Sequence, residues 1–200
     1  MRYLKVYIPV FVLALFMVAC GSDELAEGDK YFKQEQYDKA IVAYTTHLET
    51  APSDVESLYN RAISYAETGQ EEKAVADWNR ILEDNENHFY SLMSLGKLYF
   101  EKKEFKESAF YYEKAYKSKS DNAEAAFHTG RAFHKSGNTG QAMKMYDLAI
   151  RINPDLGEAF LYRGALNIYL KRRTQGCSDF VKANSLGVEQ AEKAMSSYCG

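Results

Sequence analysis

The sequence predicts an all-α fold in which pairs of short helices repeat along the chain. Three observations support this prediction: small residues recur at a fixed interval, the residues between them are spaced as on helix faces, and no long alternating run of Val, Ile and Thr is present. The chain has 200 residues, of which 46% are apolar and 26% charged, and only three are prolines. This composition is typical of a folded globular chain and not of a disordered or fibrous one.

The repeat interval is 34 residues, and it is seen first in the small residues Gly28, Ala62, Gly96, Gly130 and Gly164. Three further series step by the same interval: Tyr31, Tyr65, Tyr99, Phe133 and Asn167; Ala40, Ala74, Ser108, Ala142 and Gly176; and Tyr44, Trp78, Tyr112, Tyr146 and Phe180. A constant interval of this length indicates repeated structural units. We place five of them at about residues 21–54, 55–88, 89–122, 123–156 and 157–187.

Each unit is predicted to hold two amphipathic helices. A small residue and an aromatic residue are three apart in the first helix and four apart in the second, so each pair shares a helix face. The small residues let helices approach closely, and the rings fill the space between them. Turn and capping residues lie at the expected breaks: Gly69 and Gly137 between helices, Pro52 and Pro154 at unit ends, and Ser53-Asp54 and Asp121-Asn122 before helices.

One further helix is predicted after the fifth unit. Gly187 is expected to end the last helix of that unit, and Val188 to Tyr198 to form a capping helix within a closing segment at residues 188–200. Each unit of a repeat fold is stabilised by its neighbours, so the last unit has an exposed face that such a helix covers.

The N-terminal segment, residues 1–19, is predicted to be a cleaved export signal. Arg2 and Lys5 form a basic start, and an apolar stretch from Val6 to Ala19 precedes Cys20. The stretch has about 14 residues, whereas a membrane-spanning helix needs roughly 20. We therefore expect these residues to be removed and not to remain as a membrane anchor.

The order of small residue, aromatic, small residue, aromatic, small residue and final proline resembles the tetratricopeptide-repeat (TPR) family over about residues 21–187. The resemblance implies a right-handed helical solenoid of about five repeats, here residues 25–187 plus the capping helix, that binds other proteins. The end units depart from the family pattern. Polar Glu24 and Glu27 replace apolar residues in the first unit, and Asn167 replaces the aromatic residue in the fifth. Such departures are expected where an end unit faces water.

Residues 17–20, Met-Val-Ala-Cys, resemble the lipobox of bacterial lipoproteins, with Met17 where that family most often has Leu. The resemblance implies cleavage before Cys20, whose thiol then carries the acyl chains, so that residues 20–24 are a lipidated tether. Several acyl chains together hold a protein stably on a membrane. The alternative is an ordinary secretory signal, cut after Ala19, that leaves a free cysteine.

The location implied by this second resemblance is the bacterial cell envelope, with the protein lipid-anchored to the outer membrane. The tract from Gly21 to Glu24 is similar to the export tag of some surface lipoproteins, and it equally suits a plain solvated tether. Both the periplasmic and the surface face of the membrane stay open.

Cys177 and Cys199 are expected to form a disulfide, because they resemble the closing segment of many exported TPR proteins. Both would lie outside the cytoplasm, where disulfides persist, if the export signal is correct. The bond would attach the terminal helix and stabilise that end by about 3 kcal/mol on the chain-entropy model. The alternative is two unpaired thiols, one buried and one in a mobile tail.

Charge and motifs argue against other classes of function. Removing Arg2 and Lys5 with the signal leaves 25 minus 2, or 23, basic residues against 28 acidic ones, without a basic cluster, so nucleic-acid binding is not expected. The four histidines, His47, His88, His128 and His134, lack metal-ligand spacing, and no phosphate-binding loop or catalytic motif is present. We expect no metal, no cofactor, no small-molecule substrate and no enzymatic activity.

The resemblance to TPR proteins implies that the first helices of successive units line a concave groove. The positions that usually face this groove include Tyr59, Asn60, Ile63, Lys97, Phe100, Phe127, Arg131, His134 and Lys135. Aromatic rings beside Lys and Arg are common at protein interfaces, and Lys97 and Arg131 suit an acidic segment of a partner. The alternative is that Phe100 and Phe127 only pack between helices while the two cations are solvated.

The function that follows is a membrane-anchored adaptor, a protein-interaction scaffold that binds a peptide or helical segment of another envelope protein in its groove. Some TPR domains bind a chaperone C-terminus with a clamp of Asn and Lys residues. Only Asn60 of that pattern is present and Ala26 replaces its partner, so this clamp is not expected. The alternative function is a structural subunit of a larger envelope assembly, using the convex face or the ends.

Overall fold

The computed structural model describes the backbone of residues 16–200 and the side chains of residues 23–200. Within this range the chain forms eleven α-helices and no strand, so the predicted all-α fold is confirmed. Most of the predicted signal peptide and the side chain of Cys20 lie outside the described residues. None of the described helices is both long enough and apolar enough to cross a membrane. The chain divides into two compact units, Met1–Glu86 and Asn87–Gly200.

The first unit consists of two helical hairpins. Its helices are α1 (Phe16–Lys33), α2 (Tyr37–Thr50), α3 (Val55–Glu67) and α4 (Glu71–Asp84). Each helix packs against the next, and α1 also contacts α3. Leu48, Leu58 and Ile81 form a core cluster here, and Tyr59 packs against it.

The second unit consists of three hairpins and a final single helix. Its helices are α5 (Phe89–Glu101), α6 (Phe105–Ser118), α7 (Ala123–Lys135), α8 (Thr139–Ile152), α9 (Gly157–Tyr169), α10 (Arg173–Ser185) and α11 (Glu189–Tyr198). Successive helices pack against one another, and α9 also contacts α7 and α11. The largest core cluster lies between α7, α8 and α9, around Phe127, Tyr146 and Leu166.

Helix starts follow the 34-residue interval. Helices α3, α5, α7 and α9 begin at residues 55, 89, 123 and 157, the first residues of the predicted units. The side chains of Asp54 and Asn122 each accept a hydrogen bond of 2.8 Å from the backbone N–H three residues on. His88 occupies the same place before α5, and its Nδ1 accepts from the N–H of Ser91 at 3.3 Å. These acceptors satisfy backbone donors that have no partner within the helix.

Glycines pack against aromatic rings inside the hairpins. A Cβ atom added at Gly96 would lie 2.6 Å from the ring of Tyr112, and one added at Gly130 would lie 2.8 Å from the ring of Tyr146. Both rings are buried. The packing of small residues against aromatic ones that the sequence predicts is therefore confirmed.

Helix α11 covers the end of the second unit. It packs against α10 and α9, and its Ala191 is fully buried. A disulfide joins Cys177 in α10 to Cys199, which directly follows α11, with their Cα atoms 5.7 Å apart. The capping helix and the disulfide that the sequence predicts are both present.

Candidate functional site

In the first unit, the predicted groove residues Tyr59, Asn60 and Ile63 lie half-buried on α3. The Asn60 amide donates to the Tyr44 hydroxyl at 3.2 Å, and that hydroxyl donates to the Asp29 carboxylate at 2.8 Å. Burial, followed by the hydrogen bond to Asp29, raises the pKa of Tyr44, so its hydroxyl keeps its proton. Asn60 therefore takes part in a network that links α1, α2 and α3, and a partner would have to compete with that network.

In the second unit, α5 and α7 are the first helices of successive hairpins, and they line a cavity of about 480 Å³. Lys97, Phe100 and Arg131, all predicted groove residues, meet in this cavity. The other lining residues are Met93, Ser94, Glu101, Tyr112 and His128. We call this the α5–α7 cavity.

The Arg131 guanidinium lies over three aromatic rings. Its central carbon is 4.9 Å from the ring centres of Phe100 and Tyr162 and 5.6 Å from that of Phe127. The rings come from α5, α9 and α7, respectively. Attraction between a cation and a ring face is worth about 0.5–2 kcal/mol. The rings therefore hold the guanidinium in place without neutralising its charge.

No side chain in the described part of the chain pairs with Arg131, and its Nε atom is buried without a hydrogen bond. The half-buried arginines Arg61 and Arg163 differ, because they bind the carboxylates of Asp77 at 2.8 Å and Asp179 at 2.6 Å. A buried donor without a partner costs about 1–3 kcal/mol. Such donors are rare in native proteins, so this one calls for an explanation.

Lys97 is the second cation at the α5–α7 cavity. Its side chain is 67% exposed, and its Nζ atom lies 3.8 Å from the carboxylate of Glu101, one helical turn further on. An exposed pair of this kind contributes little and is screened by salt. Lys97 can therefore exchange Glu101 for an acidic group of a partner at little cost.

His128 forms part of the cavity wall, with its ring stacked on that of Tyr112 at 5.2 Å between centres. Burial, and then the charge of Arg131, lower the pKa of His128 to about 4. The imidazole is therefore neutral at pH 7. The positive charge of the cavity at that pH comes from Lys97 and Arg131.

Three predicted groove residues have other surroundings. Phe127 is fully buried in the core of the second unit, so it supports Arg131 from within and cannot contact a partner, which corrects its assignment as a groove residue. His134 Nδ1 is 3.4 Å from the Tyr146 hydroxyl, and burial, followed by Lys135, lowers the pKa of His134. Lys135 is exposed at the end of α7 and does not line the cavity.

The sequence analysis did not assign Ser94, His128 and Tyr162 to the site. They occupy one position of three successive units, because each follows the one before by 34 residues. The repeat interval could therefore have identified them once Phe100 and Arg131 had been assigned. Ser94 and His128 line the cavity, while Tyr162 lies against Arg131.

The chemistry that this site offers is noncovalent. It combines two cations, one buried N–H donor without an acceptor, and the apolar surface of Met93 and Phe100. Among the described residues, no three His, Cys, Asp or Glu side chains are grouped so as to hold a metal ion. This arrangement suits an anionic group that is carried next to an apolar one.

Family models match most of the repeat region. A model described as "TPR repeat" matches residues 28–69, and two described as "Tetratricopeptide repeat" match residues 56–88 and 93–157. Together they cover residues 28–88 and 93–157, which lie in the first four predicted units.

Two curated proteins are similar to nearly half of the chain. The chain is 31% identical over 93 residues to "Outer dynein arm-docking complex subunit 4" of Danio rerio, which is 46% of this chain and 19% of that protein. It is 34% identical over 94 residues to "Heat-shock protein cognate (HSC) co-chaperone sgt12" of Aspergillus fumigatus, which is 46% of this chain and 28% of that protein. The matched segment thus spans less than a third of either relative.

Among solved structures, the fold is similar to that of MamA. "MamA 41-end from Desulfovibrio magneticus RS-1" superimposes with a TM-score of 0.78 at 18% identity, covering 86% of this chain and 97% of that one. "Crystal structure of MamA protein" gives a TM-score of 0.75 at 21% identity, covering 90% and 95%. At these identities the likeness concerns the fold alone.

The helix pairs, the 34-residue interval and the packing of glycines on rings agree with these matches. The family models, the curated relatives and the solved structures thus lead to one assignment. The chain carries tetratricopeptide repeats, a fold that serves as a scaffold for binding other proteins.

Proposed function

We propose that the protein is a TPR lipoprotein of the bacterial cell envelope that acts as an adaptor, holding a segment of another protein in the α5–α7 cavity. One observation supports binding at this place: Arg131 is fixed on three rings beside an open cavity and has no acidic partner in its own described chain. The two curated relatives are named as a docking-complex subunit and a co-chaperone, which also fits a role in binding proteins. The proposed function involves no catalysis.

The proposed anchor rests on the resemblance of Met17 to Cys20 to a lipobox. Replacing Cys20 by Ala removes the thiol that would carry the acyl chains. We expect the Cys20→Ala protein to leave the membrane fraction and appear in the soluble periplasm, as judged by fractionation and immunoblotting of the native host. Retention of the variant in the membrane fraction would refute the lipid anchor.

The adaptor function can be tested by mild cross-linking in the native host, affinity purification and mass spectrometry. The test variant carries Lys97→Glu and Arg131→Glu, which reverse both cavity charges. The control carries Lys135→Glu, which makes the same change on an exposed residue of α7 that does not line the cavity. We expect a set of envelope proteins that the wild type and the control retain and the test variant loses.

The two other results of this experiment separate the parts of the proposal. Partners that all three proteins retain would show that a protein is bound at another surface, and the α5–α7 cavity would be rejected. Absence of any partner with the wild type would argue against an adaptor of any kind.

A second candidate function, a structural subunit of a larger envelope assembly, is favoured by apolar residues on the second helices of hairpins. Val42 on α2 is 66% exposed, Phe110 on α6 is 56% exposed and Val181 on α10 is 57% exposed. Exposed apolar groups of this size can mark contact surfaces, although single ones are common on any protein. Replacing all three by Ser should release the protein from the assembly under this alternative and leave the adaptor function unchanged.

A further inference from the structure

Arg131 has the features of a cation that lacks its anion. Its guanidinium is charged at every physiological pH. Three rings fix its position, and its buried Nε–H has no acceptor. Native proteins supply partners for nearly all buried donors, and a charge removed from water needs a counter-charge. Both needs are met if an acceptor comes from outside the chain.

Acidic side chains of the second unit do not meet this need. Glu101 lies on the cavity wall, but its carboxylate is 61% exposed and sits beside Lys97. The Glu124 carboxylate is 3.8 Å from His128. Asp147 and Asp179 are both bound by Arg163. The anion that fits Arg131 is therefore not one of these four.

We infer that Arg131 receives the side-chain carboxylate of an Asp or Glu in the partner's segment, while an adjoining apolar side chain of that segment packs on Phe100 and Met93. This inference rests on the adaptor function proposed above and specifies the chemistry of the partner. The planar guanidinium matches a carboxylate because it can donate two parallel hydrogen bonds. Lys97 supplies a second, more mobile positive charge for a neighbouring acidic residue.

The length of the site favours a carboxylate within a chain over one at a chain end. The residues of α5 that line the cavity run from Met93 to Glu101, which corresponds to roughly 12 Å along a helix. An extended peptide advances about 3.3 Å per residue, so three or four residues can lie along this wall. A segment that passes through the cavity presents side chains, and only its acidic side chains can reach Arg131.

The test begins with phage-displayed random dodecapeptides selected on the full-length chain in detergent micelles. Each peptide is joined to the coat protein through its C-terminus, so side chains are the carboxylates that it presents. Selected peptides are then synthesised with both ends blocked, in an acidic form and in a matched form with Asn for Asp and Gln for Glu. Their dissociation constants are measured by fluorescence anisotropy.

We expect the selected peptides to share an Asp or Glu next to an apolar residue. The amide-substituted form should bind at least about ten-fold more weakly, since a hydrogen bond to a charged group is lost. Arg131→Gln should weaken binding of the acidic form to a similar extent and leave the amide form unchanged. Lys97→Gln should weaken it by roughly two- to five-fold, because this charge is exposed and screened.

Two controls separate loss of binding from loss of folding. Lys135→Gln removes one positive charge from the same helix outside the cavity and should leave the affinity unchanged. Arg131→Lys keeps the charge but not the paired donors, so it should bind more weakly than the wild type and more tightly than Arg131→Gln. Circular dichroism of every variant at the binding temperature checks that the helices are intact, and Lys97→Gln alters only an exposed residue.

The possible results distinguish this inference from the adaptor function. Peptides that bind but are neutral, or acidic peptides that bind folded Arg131→Gln as tightly as the wild type, would overturn the inference and leave the adaptor function standing. Failure to select any peptide would overturn the proposed binding of segments in the cavity, and the inference with it.

Discussion

At the scale of single residues, the packing of helix pairs depends on positions where only a hydrogen atom fits. Gly96 lies against the ring of Tyr112, whose Cδ1, Cε1 and Cγ atoms would all be within 2.8 Å of an added Cβ. The ring is 4% exposed and cannot move aside without disturbing its neighbours. The glycine is therefore required by the close approach of two helices.

A Gly96→Ala variant is expected to be less stable by about 1–2 kcal/mol. Overpacking costs about 1–3 kcal/mol, and the higher helix propensity of Ala returns up to about 1 kcal/mol. Gly140→Ala is the matched control, because Gly140 is also helical and a Cβ there would have nothing within 4 Å. Urea denaturation should show Gly140→Ala as stable as the wild type or slightly more so. Equal stability of the two variants would contradict this account of Gly96.

His128 makes the stability of the fold depend on pH. Its pKa is about 4 in the folded chain, against 6.5 ordinarily, because of burial and then the charge of Arg131. As pH falls through 6.5, the unfolded chain binds a proton that the folded chain does not. The folded state therefore loses stability between about pH 6.5 and pH 4, and has the full contribution above this window.

Replacing His128 by Gln should make stability less sensitive to acid. The full pKa shift corresponds to about 3 kcal/mol, and we expect about 1–2 kcal/mol because the side chain is 30% exposed. The measurement is the free energy of unfolding at pH 7 and at pH 4.5 for the wild type and His128→Gln. The difference between the two pH values should be smaller in the variant. An unchanged difference would mean that His128 is protonated about equally in both states.

At the scale of helices, the turn inside each hairpin contains a residue with positive φ at the same repeat position. Gly69 and Gly137 have φ of 76° and 84°, and Glu35, Lys103 and Lys171 have φ of 57° to 62°. These five positions are 34 residues apart. Glycine signals such a turn in a sequence, since it adopts positive φ without strain. The other three turns give no such signal, and their backbone is set by the packing of the two helices they join.

Arginines tie the second helices of neighbouring hairpins to the first. Arg61 on α3 donates two hydrogen bonds of 2.8 Å to Asp77 on α4 and one of 3.2 Å to Thr45 on α2. Arg163 on α9 binds Asp179 on α10 and Asp147 on α8 in the same way. The two arginines are separated by three repeat intervals. One tie thus recurs in both units.

Breaking the tie at Arg61 is expected to be strongly destabilising. In Arg61→Met the Asp77 carboxylate, 10% exposed, loses its counter-charge, which costs about 3–5 kcal/mol. A double variant, Arg61→Met with Asp77→Leu, should recover most of this loss because no charge stays buried. Removing the exposed pair partner Lys97 by Lys97→Met should change stability by less than about 0.5 kcal/mol. A double variant as unstable as Arg61→Met would disprove the role of the charge.

The disulfide determines how firmly α11 is held. Its two cysteines are 22 residues apart in sequence, a loop whose closure is worth about 3 kcal/mol on the chain-entropy model. The variant with both Cys177→Ser and Cys199→Ser should show faster amide hydrogen exchange in α11, while α7, which lies outside the loop, should change little. Exchange in α11 that matches the wild type would show that packing against α9 and α10 suffices.

At the scale of the whole molecule, the second unit contains all of the α5–α7 cavity and its own core clusters. We expect residues 87–200, produced alone with the disulfide formed, to be helical and to unfold cooperatively. Each repeat is stabilised by its neighbours, so a run of three hairpins and a capping helix meets this requirement. Far-UV circular dichroism during heating measures this, and a broad, uncooperative loss of signal would contradict it.

Much of the fold could be predicted because its interactions are local and repeat. The starts of α3, α5, α7 and α9 and the contact between Gly96 and Tyr112 all follow from the 34-residue interval. The candidate site was only partly predictable. Lys97, Phe100 and Arg131 could be placed on first helices, but the burial of Phe127 depends on how α7, α8 and α9 pack together.

The sequence by itself determined the helix pairs, their interval, the residues that pack between them and the cysteines that close the chain, since each depends on spacing along one or two helices. Only the tertiary structure decided that Arg61 and Arg163 have carboxylate partners while Arg131 has three rings and none. The physical reason is that a charge is satisfied by neighbours in space. Those neighbours come from different helices, and the repeat interval does not reveal which of them supply a carboxylate.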